Sequence, residues 1–229
     1  MTQEIFHESA STNEFSRRSF LGGSAGLTFA FTLGATGISG MATAISAPMS
    51  STVNAYVKIA VDGTITIMAP GPEMGQGIMT SLPLIVAEEM DADWNNVVIE
   101  QAPLGKAYNN SIFKAQYAVA SVSSLGYWKP LRIAGAQVRK FLINAAAERW
   151  SIPVAEVMTQ SGMVHHRATG RKVSYGNLAA EAKVPAQLPK INPKKDVKKP
   201  NQYKLLGKSV PRVDVSQKVD GSANFGIDV

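Results

Sequence analysis

The rhythm of apolar and polar positions changes several times along the chain. Residues 55–61 (AYVKIAV) and 64–69 (TITIMA) alternate on either side of Asp62-Gly63. Alternation is the period of a half-buried strand, and Asp-Gly suits the tight positive-φ turn between two of them, so this segment predicts a β-hairpin. Residues 71–77 (GPEMGQG) are too glycine-rich and proline-broken to form a regular element. Beyond them Leu82, Ile85, Val86 and Met90 fall at helical spacing, which leaves Glu88 and Glu89 for a solvated face. Pro83 puts the first regular turns near Ser81, with Ser81 or Thr80 as the cap. Val97-Val98-Ile99 reads as a short strand.

Residues 103–123 carry little periodicity and read as a long loop, which inside a compact domain is usually functional. From about Ser124 to Trp150 the pattern is helical again. Leu131, Ala134, Val138, Phe141, Leu142 and Ala145 form one stripe, and Arg132, Arg139, Lys140 and Glu148 are expected to face away. Pro130 belongs in the first turn or marks a kink. Residues 157–164 and 171–174 are expected to pair across the turn 166–170, and 175–182 suggests a short helix. Interleaved strands and helices make this an α+β chain with a mixed sheet.

The N-terminal 47 residues follow a different rule. Ser16-Arg17-Arg18-Ser19-Phe20-Leu21 precedes 26 residues, Gly22 to Ala47, that hold no charge. Paired arginines before a mildly apolar, glycine-containing stretch mark a twin-arginine export signal, and the expected destination is the periplasm, in association with the periplasmic face of the inner membrane. Ala42-Thr43-Ala44 fits the small-x-small rule for cleavage; retention of the segment as an anchor is the alternative. The chain then divides into 1–47 (signal), 48–183 (the domain) and 184–229 (a basic connector).

Composition narrows the chemistry. The 229 residues are 45% hydrophobic and 17% charged, ordinary for a globular protein. The net charge of +6 is concentrated in Lys190, Lys194, Lys195, Lys198, Lys199, Lys204 and Lys208. Pro193 and Pro200 oppose a helix there, and Tyr203 is the sole aromatic, so the run reads as a solvated linker rather than a nucleic-acid surface. The absence of cysteine excludes thiol catalysis and any cysteine-ligated cluster in this chain. His165-His166 points to opposite faces of a hairpin and cannot easily share a metal, so it reads as a surface turn and no metal ligand is assigned.

Two strings remain. Gly75, Gln76 and Gly77 close a loop leading from a strand to a helix start, where amide groups and the helix dipole favour an anion. The spacing matches neither the Rossmann fingerprint nor the P-loop, so residues alone leave a plain turn and a ligand cradle both open. Ala120, Ser121, Val122 and Ser123 precede the second long helix and serve either as its cap or as a polar lining for a cofactor. No G-x-S-x-G elbow supports a serine nucleophile.

EMGQG, the helix ending in AEEM, the tract ASVSS and RIAGAQVRKFLINAAAERW together resemble one family. They are similar to the N-terminal part of the molybdopterin-binding large subunit of xanthine-oxidase-type hydroxylases, in the branch of membrane-bound aldehyde dehydrogenases and isoquinoline oxidoreductases. LLGKSVPRVDVSQKVDGSANFGIDV resembles the connector of that branch. The resemblance implies a molybdenum-cofactor-binding domain, incomplete here and placed after the export segment. It implies that Gly75, Gln76 and Gly77 contact molybdopterin, as the cytosine dinucleotide, and that Ala120, Ser121, Val122 and Ser123 line its pterin or phosphate. Such enzymes oxidise aldehydes to carboxylic acids, or hydroxylate N-heterocycles, with water as the oxygen source and a glutamate as base. Electrons leave through a small [2Fe-2S] subunit and then a haem c cytochrome or quinone. Family large subunits are much longer, and the segments carrying the glutamate and a further glycine-rich loop have no counterpart here. The chain is therefore expected to be a fragment, one piece of a divided subunit needing its C-terminal part, or a non-catalytic remnant, and no catalytic residue is assigned in it.

Overall fold

The computed structural model describes residues 26–34, 37–44, 55–181, 188–225 and 227. The arginine pair of residues 16–21 and the final residues of NFGIDV lie outside or at the edge of that set.

The hairpin around Asp62-Gly63 forms as the alternation requires. Strands β3 (Ala55–Ala60) and β4 (Ile65–Ala69) pair antiparallel, with Val57 opposite Ile67 and Ile59 opposite Ile65. Their inward side chains are fully buried, while Asp62 turns its carboxylate back to the Thr64 amide. The uncharged N-terminal stretch supplies β1 (Gly26–Gly34) and β2 (Gly37–Ala44), a hairpin added to the free edge of β3. Ala42-Thr43-Ala44 thus lies within β2. On the other side β5 (Val97–Gln101) runs parallel to β4, giving the order β2-β1-β3-β4-β5.

A parallel neighbour requires a crossover, and helix α1 (Ile78–Met90) provides it. This helix starts at Ile78, earlier than Pro83 suggested, because its amides are satisfied by Glu73 rather than by Ser81 or Thr80. It is buried almost all round, so its stripe extends beyond the positions picked by periodicity: Glu88 and Glu89 are 1% and 0% exposed, against the expected solvated face. Helix α2 (Val122–Trp150) packs across α1, with Pro130 in its interior rather than its first turn. Leu131, Ala134, Val138 and Leu142 meet Leu82, Val86 and Met90 in one core under the sheet.

The segment after α2 folds into a small antiparallel meander. β6 (Val157–Gln160) turns through Ser161-Gly162 into β7 (Met163–His166), which pairs with β8 (Arg171–Ser174). Residues 157–164 thus already contain a hairpin, in addition to the expected pairing across 166–170. His165 and His166 alternate as foreseen, but they belong to a strand and His166 is buried. Its ring bonds Thr169 at 2.8 Å and Glu156 at 2.9 Å, which replaces the surface-turn reading. Helix α3 (Tyr175–Glu181) follows, and Tyr175 reaches across to the Met90 carbonyl at 2.6 Å.

The largest departure from expectation is the Lys- and Pro-rich tail. Residues 188–214 form a strap along α1 and α2, with Leu188 in the core and Lys198 buried. Lys198 Nζ inserts between Glu88 Oε1 at 2.6 Å and Asp91 Oδ1 at 2.7 Å. The second oxygen of Glu88 accepts the amides of Lys204, Leu205 and Leu206. Glu89 accepts Arg132 Nε at 2.8 Å and the Lys198 amide at 3.0 Å, and Arg139 lies within 3.9 Å. Arg132 and Arg139, expected to face away, instead turn to the strap and donate to the carbonyls of Lys198 and Asp196. A short helix α4 (Val215–Asp220) follows the strap.

Candidate functional site

The loop between β4 and α1 is organised by its own glutamate. Glu73 Oε1 accepts the amides of Gly75 at 2.7 Å and Gly77 at 3.0 Å, and Oε2 accepts that of Met79 at 2.9 Å. Burial works to raise the Glu73 pKa, but these amides and the Arg212 guanidinium outweigh it and hold the carboxyl below its usual range. Gly75 and Gly77 take φ of 104° and 84°, and an added Cβ on Gly75 would meet nothing within 4 Å. The Gln76 side chain spans its own loop, donating to the Pro72 carbonyl at 2.8 Å and accepting the Met74 amide at 2.5 Å.

The root of this loop is held by polar side chains from three other elements. Gln101, at the end of β5, donates to the carbonyls of Ala69 and Gly71. Gln116 from the long loop donates to the Pro70 carbonyl at 3.0 Å, and Tyr127 of α2 lies 3.4 Å from the same oxygen. Tyr127 also donates to the Tyr108 carbonyl at 2.5 Å, and burial raises both phenols, Tyr108 to about 12. From the far side Arg212 donates to the Gly75 carbonyl at 2.7 Å, approaches Glu73 at 3.5 Å and pairs with Asp214 at 2.6 Å.

The second string sits where the long loop becomes α2. Ala120 and Ser121 are both left-handed, at φ 47° and 59°, an uncommon state for non-glycine residues. Ser121 occupies the N-cap position but makes no side-chain cap bond, so the capping reading does not hold for it. Ser123 is buried and donates to the Tyr117 carbonyl at 3.0 Å. Behind the string lies Asn110, fully buried, whose amide donates to the Val122 carbonyl at 2.8 Å and whose oxygen accepts the Ile112 amide. A Cβ at position 126 would come within 2.0 Å of that Asn110 oxygen, so glycine is required there.

The two strings therefore share a root at Pro70. Gln116 and Tyr127 flank residues 120–123 in sequence, and both reach the carbonyl from which the Gly75–Gly77 loop departs. Asn110, Gln101, Gln116 and Arg212 were not singled out in the sequence. Only Glu73 had a visible signal, a carboxylate just ahead of a helix start.

These residues admit a large polar cofactor in some respects and refuse it in one. The open space over Gly75 and the exposed hydroxyl of Ser121 fit close approach by a pterin. The α1 N-terminus does not fit an external phosphate, because Glu73 already fills its amides. Among the described residues no cluster of His, Asp or Glu is free to hold a metal. A cleft of about 340 Å³ beside Asp93, Trp94 and Lys204 is walled by the Lys198 ion cluster, whose Glu88 and Asp91 oxygens are already engaged by the strap or by Thr159.

Comparison with known proteins places the chain in a family. The chain belongs to the molybdopterin cofactor-binding domain family, whose pattern it matches over residues 7–221. It is 35% identical to the beta chain of isoquinoline 1-oxidoreductase from Brevundimonas diminuta, over 95% of this chain and 32% of that one. It is 28% identical to a membrane-bound aldehyde dehydrogenase of Gluconacetobacter polyoxogenes, over 76% of this chain and 22% of the relative. The same identity and coverage of this chain relate it to a nicotinate dehydrogenase subunit from Pseudomonas putida, over 14% of that relative. The chain spans about a third or less of the length of these curated relatives.

Proposed function

We propose that this chain is the cofactor-loop portion of a molybdopterin-dependent oxidoreductase that oxidises aldehydes to carboxylic acids with water as the oxygen source. The observation that carries the reading is the family match across residues 7–221, coupled with a Gly75–Gly77 loop that leaves its outer face open. When bound, the cofactor supplies two-electron oxidation at a carbon next to oxygen or nitrogen. Gly75 and Gly77 bring backbone close to it, and Ser121 offers a hydroxyl beside the left-handed turn. Gln76 must leave Pro72 and Met74 before its amide is available to a ligand. The general base belongs to the C-terminal part of the large subunit, with a [2Fe-2S] subunit and a cytochrome c or quinone taking the electrons. Hydroxylation of an N-heterocycle is the second reading, favoured by the higher identity to the isoquinoline enzyme.

The test is to co-express the chain with its C-terminal counterpart and small subunit, then measure bound molybdenum and dye reduction with an aldehyde and with isoquinoline. Molybdenum and turnover are expected together, and the better substrate separates the two readings. Metal-free, inactive material from the complete complex sinks both. Export to the periplasm by the twin-arginine route is part of the proposal. Arg17→Lys with Arg18→Lys is expected to leave the protein in the cytoplasm, and continued export refutes that part.

A further inference from the structure

The strap that closes over α1 and α2 carries a charge distribution that the cofactor site does not use. Of its seven lysines, Lys198 and Lys204 are consumed by Glu88 and Asp91. The other five, Lys190, Lys194, Lys195, Lys199 and Lys208, are exposed, and none has an ion pair or side-chain hydrogen bond among the described residues. Asp196 is the one acid between residues 188 and 209, and Lys140 of α2 already holds it at 3.1 Å. A merely solvated face normally mixes both signs of charge, whereas this one is single-signed.

The strap is also pinned. Lys198 is buried beneath it, Arg132 and Arg139 grip its carbonyls, and Leu188 is seated in the core. The lysines are thus carried on a docked segment, a lysine ledge along the strap, instead of on a free tail. Prolines at 193 and 200 and a single aromatic, Tyr203, give no platform for stacking bases. What such a ledge fits is a fluid array of negative headgroups, which can gather under each ammonium without any required geometry.

We propose that this lysine ledge is a peripheral membrane-contact surface for anionic phospholipid headgroups. It works without insertion: no described helix is long and apolar enough to cross a membrane. The attraction is coulombic, so it weakens as the screening length shrinks from about 10 Å in 0.1 M salt to about 3 Å in 1 M salt.

The experiment is co-sedimentation of the full chain with vesicles of phosphatidylglycerol and, separately, of phosphatidylcholine. The comparison is with a variant carrying Lys→Gln at 190, 194, 195, 199 and 208. None of these five side chains has a partner among the described residues, so circular dichroism and melting of the variant are expected to match wild type. Wild type is expected to bind phosphatidylglycerol at low salt at least about tenfold more tightly than the variant does. That difference should vanish in 1 M salt and be absent on phosphatidylcholine. Equal binding by wild type and variant overturns the proposal, and so does binding indifferent to headgroup charge, which would point to the apolar N-terminal segment instead. Failure on phosphatidylglycerol with lysine-dependent capture of an acidic partner protein also overturns it, in favour of a protein interface. None of these outcomes depends on molybdenum content, so the result stands apart from the proposed activity.

Discussion

At the scale of single residues, buried charge decides more than exposed charge. Glu88 and Asp91 lose water on folding, and Lys198 compensates both from one ammonium. Lys198→Met leaves two carboxylates without their shared cation, and removing one partner of a buried pair typically costs about 3–5 kcal/mol. Urea unfolding is expected to show a loss of that order, whereas Lys194→Met, on the exposed face, is expected to stay within about 0.5 kcal/mol of wild type. A second residue-level effect is steric. Gly126→Ala drives a methyl into the Asn110 amide and is expected to cost about 1–3 kcal/mol through overpacking. The same variant should loosen the Ala120–Ser121 turn, read as faster amide exchange at Val122 and Ser123. Unchanged stability in Gly126→Ala would mean that Asn110 does not brace this turn.

At the scale of elements, helix α1 is clamped at both ends by carboxylates. Glu73 fills the amides at its start, and Glu88 and Asp91 dock the strap at its end. Glu73→Gln keeps the shape but weakens three charge-assisted bonds, and a loss of about 1–2 kcal/mol in thermal or urea unfolding is expected. The strap end responds to pH. Burial pushes Glu88 and Asp91 upward, but Lys198 and, at Glu88, the amides of Leu205 and Leu206 outweigh it, so both sit below their ordinary 4.5 and 3.8. A lowered folded-state pKa contributes stability that is complete above the unfolded value and is lost as pH falls through the folded one. Strap docking is therefore expected to hold from neutrality down to about pH 4.5 and to weaken below it. Trp94, which lines the cleft under the strap, reports this by its fluorescence. A Trp94 signal flat from pH 7 to pH 2.5 refutes the linkage.

At the scale of the molecule, sheet, paired helices and strap are one interlocked unit among the described residues. The strap starts at Leu188 in the core, and Arg212 reaches the Gly75–Gly77 loop 137 residues earlier in sequence. Brief trypsin treatment is expected to cut first at the exposed Lys194 and Lys195. The nicked tail should nevertheless co-elute with the domain at pH 7, held by Lys198 and Arg212, and separate when the pH falls below about 4. Immediate loss of the tail at pH 7 would contradict this docking. Removal of residues 1–44 would take β1 and β2 out of the sheet and leave β3 as an edge, a state that native proteins tend to protect.

The sequence by itself determined whatever depends on neighbours in the chain. Asp62-Gly63 between alternating segments specified the β3–β4 hairpin, the stripe from Leu131 to Leu142 specified α2, and EMGQG with ASVSS identified the family, matched over residues 7–221. Such features follow from local turn geometry and from periods of two or 3.6 residues, both written in adjacent positions. Tertiary structure alone decided which polar residues would lose their water. Glu88, Glu89, Arg132 and Arg139 carry a solvated pattern, and the 184–229 segment carries that of a linker. Their burial follows because the strap arrives from 110 residues away: Lys198 neutralises Glu88, while Arg132 and Arg139 pair with Glu89 and donate to the strap's carbonyls. The same holds at the candidate site. The glycine loop was legible, but the amide-filling role of Glu73 and the hold of Gln116, Tyr127 and Arg212 on its frame depend on distances that no local pattern encodes.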